Sequence, residues 1–333
     1  MLDPGPKKSE KHLPTLGRRI VAMPWDLSPA FNCRHLTPFH STVNRSHLSP
    51  MKNPKAMKDT NTTTKQRSGR RGLFMLGMAD LISGIGNWRL CHLMGLGEIR
   101  RRYARSRIGQ FWLTISTAIV VTALGLVWST LWKQPVAELM PFVAISLIVW
   151  TMISGTLSEA ATVFASTGPI FLNQGMSFST AIYSLVYRHL LIFLHNMPTI
   201  VIAILLFSVP AGGISLVALP GFGLLVIALL WASYLVAIAC VRFRDLTQVV
   251  QNVLMVAFFI TPIFWKPDQI PPDKDYLLFL NPFAALLAVV REPLLGQLPS
   301  IYDWTAAVIF SLGGFVVAQP IIGYCQRRII YWI

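Results

Sequence analysis

Residues 190–241 read LLIFLHNMPTIVIAILLFSVPAGGISLVALPGFGLLVIALLWASYLVAIACV, a stretch without one Asp, Glu, Lys or Arg. A helix rises 1.5 Å per residue, and about 20 apolar residues cross the roughly 30 Å hydrocarbon core of a bilayer. The stretch is long enough for two crossings. Pro210–Leu216, with Gly212 and Gly213, is the only segment in it suited to a turn. Two antiparallel membrane helices joined by a short uncharged loop are therefore expected here.

The same reading extends outward in both directions. Uncharged runs place six spans at Phe111–Trp132, Leu139–Ser158, Leu190–Val209, Val217–Val241, Leu246–Trp265 and Trp304–Gln326. Composition agrees: 53% of the 333 residues are hydrophobic and only 13% charged, whereas soluble domains sit nearer a quarter charged. The net charge of +15 is a local feature. Residues 1–110 hold 20 Lys/Arg against 6 Asp/Glu, and residues 111–333 hold 9 against 8. Charge gathered at one flank of an apolar body fits attraction to anionic lipid and not to nucleic acid.

Loop charges set the orientation. The basic excess falls on the N-terminal flank, on Arg242 and Arg244 in the fourth loop, and on Arg327 and Arg328 in the tail. With six spans these share one side, which the positive-inside tendency makes cytoplasmic for both termini. Residues 1–71 carry 14 Lys/Arg and no sustained periodicity, as expected of a disordered basic leader. Met51, Met57 and Met75 lie in or just beyond it, and part of the leader is expected to be an upstream extension of the reading frame. Residues 72–110 form an interfacial segment, a broken amphipathic helix ending in a collar of Arg100, Arg101, Arg102, Arg105 and Arg107. Residues 111–333 form the membrane domain.

The fifth loop breaks the pattern. Tyr276–Val290 is apolar, too short to span, and interrupted by Asn281-Pro282. Irregular backbone at membrane depth must be buried in protein or line a cavity, so a re-entrant or gate-helix hairpin is expected between spans 5 and 6. The expected fold class is all-α and polytopic.

Several chemistries find no residues to carry them. No G-x-x-x-x-G-K-[ST] phosphate loop occurs, nor H-E-x-x-H or G-x-S-x-G. Asp273-Lys274-Asp275 is a formal D-x-D on the expected outer face and reads as a solvated turn after Pro271-Pro272. The four cysteines, Cys33, Cys91, Cys240 and Cys325, show neither metal-ligand nor disulfide-framework spacing. The spans are expected to be free of Asp, Glu, Lys and Arg at depth, with His195 as their one ionisable side chain. Ion-coupled carriers place such groups in the membrane, so energy is expected to come from another subunit. His195, next to Asn196, is read as a helix-to-helix hydrogen-bonding residue.

With these features in place, the sequence resembles the type-2 ABC permeases that export O-antigen, capsule and teichoic-acid polymers. The resemblance covers about residues 72–333. It rests on RRYARSRIGQFWLTIS at 101–116, IFLHNMP at 192–198, VRFRDL at 241–246, FFITPIFW at 258–265, NPFAALLAVVREPLLG at 281–296 and RRIIYWI at 327–333. It implies a homodimer enclosing one channel in the bacterial inner membrane, a lipid-linked glycan as substrate, and a separate ATPase subunit that binds the ATP. No cofactor is implied in this chain. A coupling helix at about Leu157–Leu172 would dock on the ATPase. Gly168-Pro169 suggests a break after it, and Leu157, Glu159, Phe164, Pro169 and Leu172 are its candidate contacts. The helix before the first span would be a cytoplasmic gate, and Asn281, Pro282, Phe283, Arg291 and Glu292 would belong to an outer gate.

Some residues admit two readings. Arg101, Arg102, Arg105 and Arg107 suit bidentate phosphate contacts with a lipid-pyrophosphate head group, or simply fix topology. Arg242, Arg244 and Asp245 form a tight turn that pairs internally, meets the ATPase, or controls topology. Trp128 and Trp150 either offer sugar-stacking platforms in a channel or pack helices and face lipid. Two other functions remain open: export of a small lipid or drug by the same kind of permease, and a membrane-embedded glycosyl- or acyltransferase.

Overall fold

The computed structural model describes residues 72–103, 109, 111–174, 176–210, 212–269, 278 and 280–333. The chain divides into two units, Met1–Thr64 and Lys65–Ile333, and every described residue lies in the second. The basic leader expected at 1–71 and the D-x-D at 273–275 fall outside the described residues.

The described residues are almost wholly helical and contain no strand. In chain order the helices are α1 Leu73–Gly86, α2 Trp88–Tyr103, α3 Phe111–Trp132, α4 Val136–Gln174, α5 Phe178–Leu206, α6 Ala218–Arg242, α7 Leu246–Ile260, α8 Pro282–Leu294, α9 Ile301–Val308 and α10 Gly314–Ile329. A 3₁₀ turn, Gly213–Val217, leads into α6, and a π-helical turn, Ile309–Gly313, joins α9 to α10 as one crossing. Five helical segments are long and apolar enough to cross a membrane: Phe111–Trp132, Val136–Gly168, Phe178–Leu206, Gly213–Arg242 and Ile301–Gln326.

Three boundaries differ from the sequence expectation. The segment expected at Leu246–Trp265 is helical only to Ile260, and its 15 residues extend about 22 Å. Pro262 explains the stop: the residue before a proline is pushed out of helical geometry, and Thr261 sits at ψ 136°. The second and third spans are longer than expected, because α4 runs on to Gln174 and α5 begins at Phe178. No separate helix exists at Leu157–Leu172. Those residues continue α4, and Gly168-Pro169 does not end it.

Helix α4 is the axis of the bundle. Leu139, Val143, Ala144, Ile145, Ile148, Val149 and Ile153 are completely enclosed, and α3, α5, α6, α7 and α8 all pack on it. Helix α3 lies outermost, with only Val121, Gly125 and Ser129 buried. Gly125 leaves room there for the Met140 thioether, which a Cβ would force to shift. We call the end of the bundle holding Gln174, Phe178 and Arg242 proximal, and the end holding the α3–α4 and α5–α6 turns distal.

At the proximal end α1 crosses α10 with nearly no gap. A Cβ on Gly323 would overlap the Leu73 carbonyl oxygen, and one on Gly77 the Gln319 carbonyl oxygen. Small residues permit this backbone-to-backbone approach, which is a common way for helices to associate where lipid is the solvent. Gly323→Val is expected to push α1 off α10 and destabilise the protein by about 1–3 kcal/mol. Gly97→Ala, with nothing within 4 Å of the new Cβ, should not lower the thermal midpoint of the detergent-solubilised protein, and alanine's better helix propensity should raise it slightly.

Candidate functional site

Polar side chains collect at both ends of the bundle. At the proximal end, α1 carries one acid in an otherwise apolar helix, Asp80, which is 3% exposed. Its carboxylate accepts from Tyr234 Oη (2.8 Å), Gln326 Nε2 (2.9 Å) and the Ser179 amide (3.2 Å), while Ser179 Oγ donates to its carbonyl (2.6 Å). Burial pushes the carboxyl up from its ordinary range, and these hydrogen bonds act against that rise. One side chain thus ties α1 to α5, α6 and α10.

After Asn87 the chain re-enters helix as α2, which lies along α5. Apolar packing of Met94 on the core there is joined by polar pairs. Asn87 Nδ2 donates to Thr180 Oγ1 (3.4 Å), His92 Nδ1 meets Tyr187 Oη at 2.7 Å, and Gly95 leaves room for the Tyr187 ring. At its far end Arg188 of α5 forks, one terminal nitrogen donating to Glu98 of α2 and the other to Glu159 of α4. His189 Nε2 lies 3.1 Å from the same Glu159 oxygen. Arg188 has a side-chain exposure of 11%, against 54% for Glu98. Nearby, Gln251 of α7 donates to Ser158 of α4 at 2.5 Å. Seven helices, α1, α2, α4, α5, α6, α7 and α10, therefore meet through side-chain hydrogen bonds at the proximal end.

The coupling residues expected from sequence separate into two groups. Glu159 belongs to this cluster, whereas Leu157 and Phe164 are core: both are buried, and Phe164 packs edge-on against Phe178 and Tyr234. They do not present a docking surface. The side chains of Pro169 and Leu172 lie outside the described residues. Arg242, Arg244 and Asp245 are exposed in the α6–α7 turn, with the Arg242 guanidinium 5.3 Å from the Trp332 ring. In the basic collar Arg101 is exposed near the end of α2; the side chain of Arg102, and Arg105 and Arg107 altogether, fall outside the described residues.

At the distal end α8 is almost entirely enclosed, from Ala284 to Arg291. Asn281 starts it by accepting from the Phe283 and Ala284 amides, and donates to Thr261 Oγ1 at 3.0 Å. Pro282 takes the first helical position, where its missing N–H goes unnoticed. Phe283 meets Trp150 edge-on, midway along α4, while Gly296, just past the helix, abuts the Pro210 carbonyl at φ 78°. Helix α8 therefore rises from the middle of the bundle to its distal face.

Arg291 is 1% exposed and fully occupied. Its Nε and one terminal nitrogen donate to Glu292 (3.0 and 2.7 Å), the other to the Pro262 carbonyl (2.6 Å) and Ser146 Oγ (3.3 Å), and the Phe142 ring lies 4.1 Å away. Arg291 lies outside the six spans expected from sequence, and its complete burial there was not foreseen. Beside Arg291 and Glu292 opens a cavity of about 1030 Å³, also lined by Glu138, Lys266, Asp268 and Asp303.

Trp128 stacks on Phe264 with centroids 4.6 Å apart and remains half-buried. Trp150 is 4% exposed and packs between helices, so its ring faces are covered. His195 Nδ1 bonds the Leu191 carbonyl of its own helix at 2.8 Å; the contact across helices is made by its backbone carbonyl, which accepts from Thr114 of α3. Sequence reasoning missed Asp80, Arg188 and His189. The available signal was Asp80 as a lone acid amid apolar residues and the adjacent Arg188-His189 pair at the edge of a long uncharged run.

Residues 89–295, more than half of the chain, match the family described as ABC-2 type transporter. Among curated proteins, an O-antigen export system permease protein of Myxococcus xanthus is 22% identical, over 64% of this chain and 88% of that protein. Two such permeases of Klebsiella pneumoniae are 22% and 20% identical, over 59% and 66% of this chain and 76% and 84% of their own lengths.

Arg291→Ala would strand the partly buried Glu292 carboxylate and the Pro262 carbonyl. A loss of about 3–5 kcal/mol in stability is expected, read as a lowered thermal midpoint. Arg291→Met combined with Glu292→Gln should recover part of it, since no buried charge is then left alone.

Proposed function

The chain belongs to the ABC-2 type transporter family, and from that premise we propose that it is the permease subunit of an exporter that carries a lipid-linked polysaccharide across the bacterial inner membrane. The observation that carries the reading is its similarity to permeases named for O-antigen export over most of their length, reaching 88% of the Myxococcus xanthus protein. With no phosphate-binding loop in the sequence, the energy comes from a separate ATPase.

The proximal end, with its Arg collar and exposed Arg242 and Arg244, faces the cytoplasm in this reading, and both termini lie there. Six segments then cross or enter the membrane, α7 being the short one, and α8 dips from the outer face as a re-entrant gate element around Asn281, Pro282, Phe283, Arg291 and Glu292. Its burial supports that role, because non-helical backbone on either side of it must be kept from lipid. Helix α4, about 58 Å long by its 39 residues, outreaches a hydrocarbon core of about 30 Å. Its excess turns project toward the ATPase, so the α4–α5 elbow replaces the separate coupling helix.

Two copies enclose the channel. Unpartnered apolar faces on α3 (Phe111, Ile119, Val127) and α7 (Val253, Val256, Phe259) supply contacts between copies and with lipid. The basic segment of residues 72–110 acts as the cytoplasmic gate, with Arg101, Arg102, Arg105 and Arg107 receiving the pyrophosphate of the carrier lipid.

Deleting the gene in its own host should abolish the surface polysaccharide, and supplying the chain should restore it and co-purify an ATPase. Surface glycans unaltered by the deletion would overturn the reading. Arg105→Gln with Arg107→Gln should reduce export by about tenfold or more while membrane insertion is kept, consistent with losing charge-assisted contacts of about 1.5–3 kcal/mol. Undiminished export would assign those residues to orientation alone.

A further inference from the structure

We propose that Arg188 is a positioning residue that latches the gate helix α2 to the α4–α5 elbow, with Asn87 as the hinge and Asp80 as the fixed root. The proposal rests on the export reading above and names the part that links ATPase-driven motion to the gate.

The three parts differ in how they are held. Helix α1 is immobilised by close backbone contact with α10 at Gly77 and Gly323, and by Asp80, whose hydrogen bonds reach three other helices. The helix then breaks at Asn87, the one non-helical residue between α1 and α2, whose amide closes on the Gly84 carbonyl at 3.1 Å. Beyond it α2 buries Cys91 and Ile99 and packs Met94 on the neighbouring core, and beside these apolar contacts it carries a line of polar ones. Its face toward α5 carries Asn87, Cys91, His92, Gly95 and Glu98, spaced three or four residues apart apart from His92. Its partners on α5 are polar too: Thr180, Tyr187 and Arg188.

Polar contacts of this kind exchange one partner for another, or for water, at small net change, whereas an interdigitated apolar seam must be broken as a unit. The polar line is thus the part of the α2–α5 contact that can exchange partners if α2 shifts. What holds the far end of α2 is the Arg188 fork. Its planar guanidinium fits two carboxylates at once, and here they come from different helices, Glu98 on α2 and Glu159 on α4. His189 steadies the Glu159 side of the fork and sits against Gly155 of α4, where a Cβ would strike its ring. The Glu159 arm is therefore sheltered, and the Glu98 arm, with more than half of its side chain exposed, is the one that opens. Movement of the α4–α5 elbow passes to α2 through Arg188, and release of Glu98 frees α2 to swing about Asn87.

The test uses the full permease with its ATPase partner. Glu98→Gln removes the opening arm at an exposed site and should leave membrane insertion, ATPase co-purification and ATP hydrolysis at wild-type levels. Export of surface polysaccharide should fall about tenfold, within the usual range of coupling between sites. The exchange Glu98→Arg with Arg188→Glu, which restores an opposite-charge pair across α2 and α5, should recover part of it. A readout independent of function is the distance between spin labels at Leu93→Cys and Leu194→Cys in a background free of the native cysteines. It should be narrow in the parent and broad after Glu98→Gln. Wild-type export by Glu98→Gln, or an unbroadened distance, overturns the latch. So does loss of export together with loss of assembly, which would make the pair merely structural. Failure of the parent chain to restore polysaccharide would instead count against the export reading, and the label distances would still judge the latch.

Discussion

Hydrocarbon offers no hydrogen bonds, and the architecture follows from where the chain stops being helical under that constraint. The five long crossings are continuous helical segments that satisfy most of their backbone internally. The described residues 261–263 after α7 and Asn281 before α8 do not, and side chains complete what the helices leave open there. Arg291 reaches the Pro262 carbonyl, Asn281 covers the first amides of α8 and holds Thr261, and α8 is wrapped by α4, α6 and α9. Remove that envelope and an interrupted helix at this depth would face lipid with bare peptide groups.

The same constraint decides how the helices adhere. Apolar contact between helices gains little where lipid is equally apolar, so fit and hydrogen bonding take over. Glycines at positions 77, 125 and 323 remove the one carbon that would hold two backbones, or a backbone and a thioether, apart. Asp80, Arg188 and Arg291 are each costly to bury alone, yet each gathers partners from several helices, and losing a partner is what makes them expensive. These groups set which helices touch; the leucines and valines fill the remaining volume.

Much of this was legible in the chain. Uncharged runs announced the long helices, since span length and charge exclusion are local properties. Asn281-Pro282 announced an interruption of the Tyr276–Val290 run. The start of α8 that it marks, an N-cap followed by proline, went unread although it too is a local signature. The ends of α4 and α5 were not legible: Glu159 and Arg188 look like loop charges until the fold brings them together across 29 positions. The same holds for Asp80, whose partners Tyr234 and Gln326 lie 154 and 246 positions away. Pro262 was visible, but that its helix would stop short of a full crossing depended on Arg291 waiting to receive the freed carbonyl. Pairings over such separations have no periodicity to betray them.

The length of α4 has a mechanical consequence. Its distal part carries Phe142 and Ser146, which touch Arg291 beside the cavity, and its proximal part carries Glu159, which touches Arg188. Both contacts sit on one unbranched rod of 39 residues. A tilt of only about 5° displaces the two ends of such a rod by about 5 Å relative to each other, close to one helical turn. Rotations too small to disturb the packing around its middle are therefore amplified into full-step changes at its tips, and a pull applied at one face of the membrane arrives at the other without any intermediary.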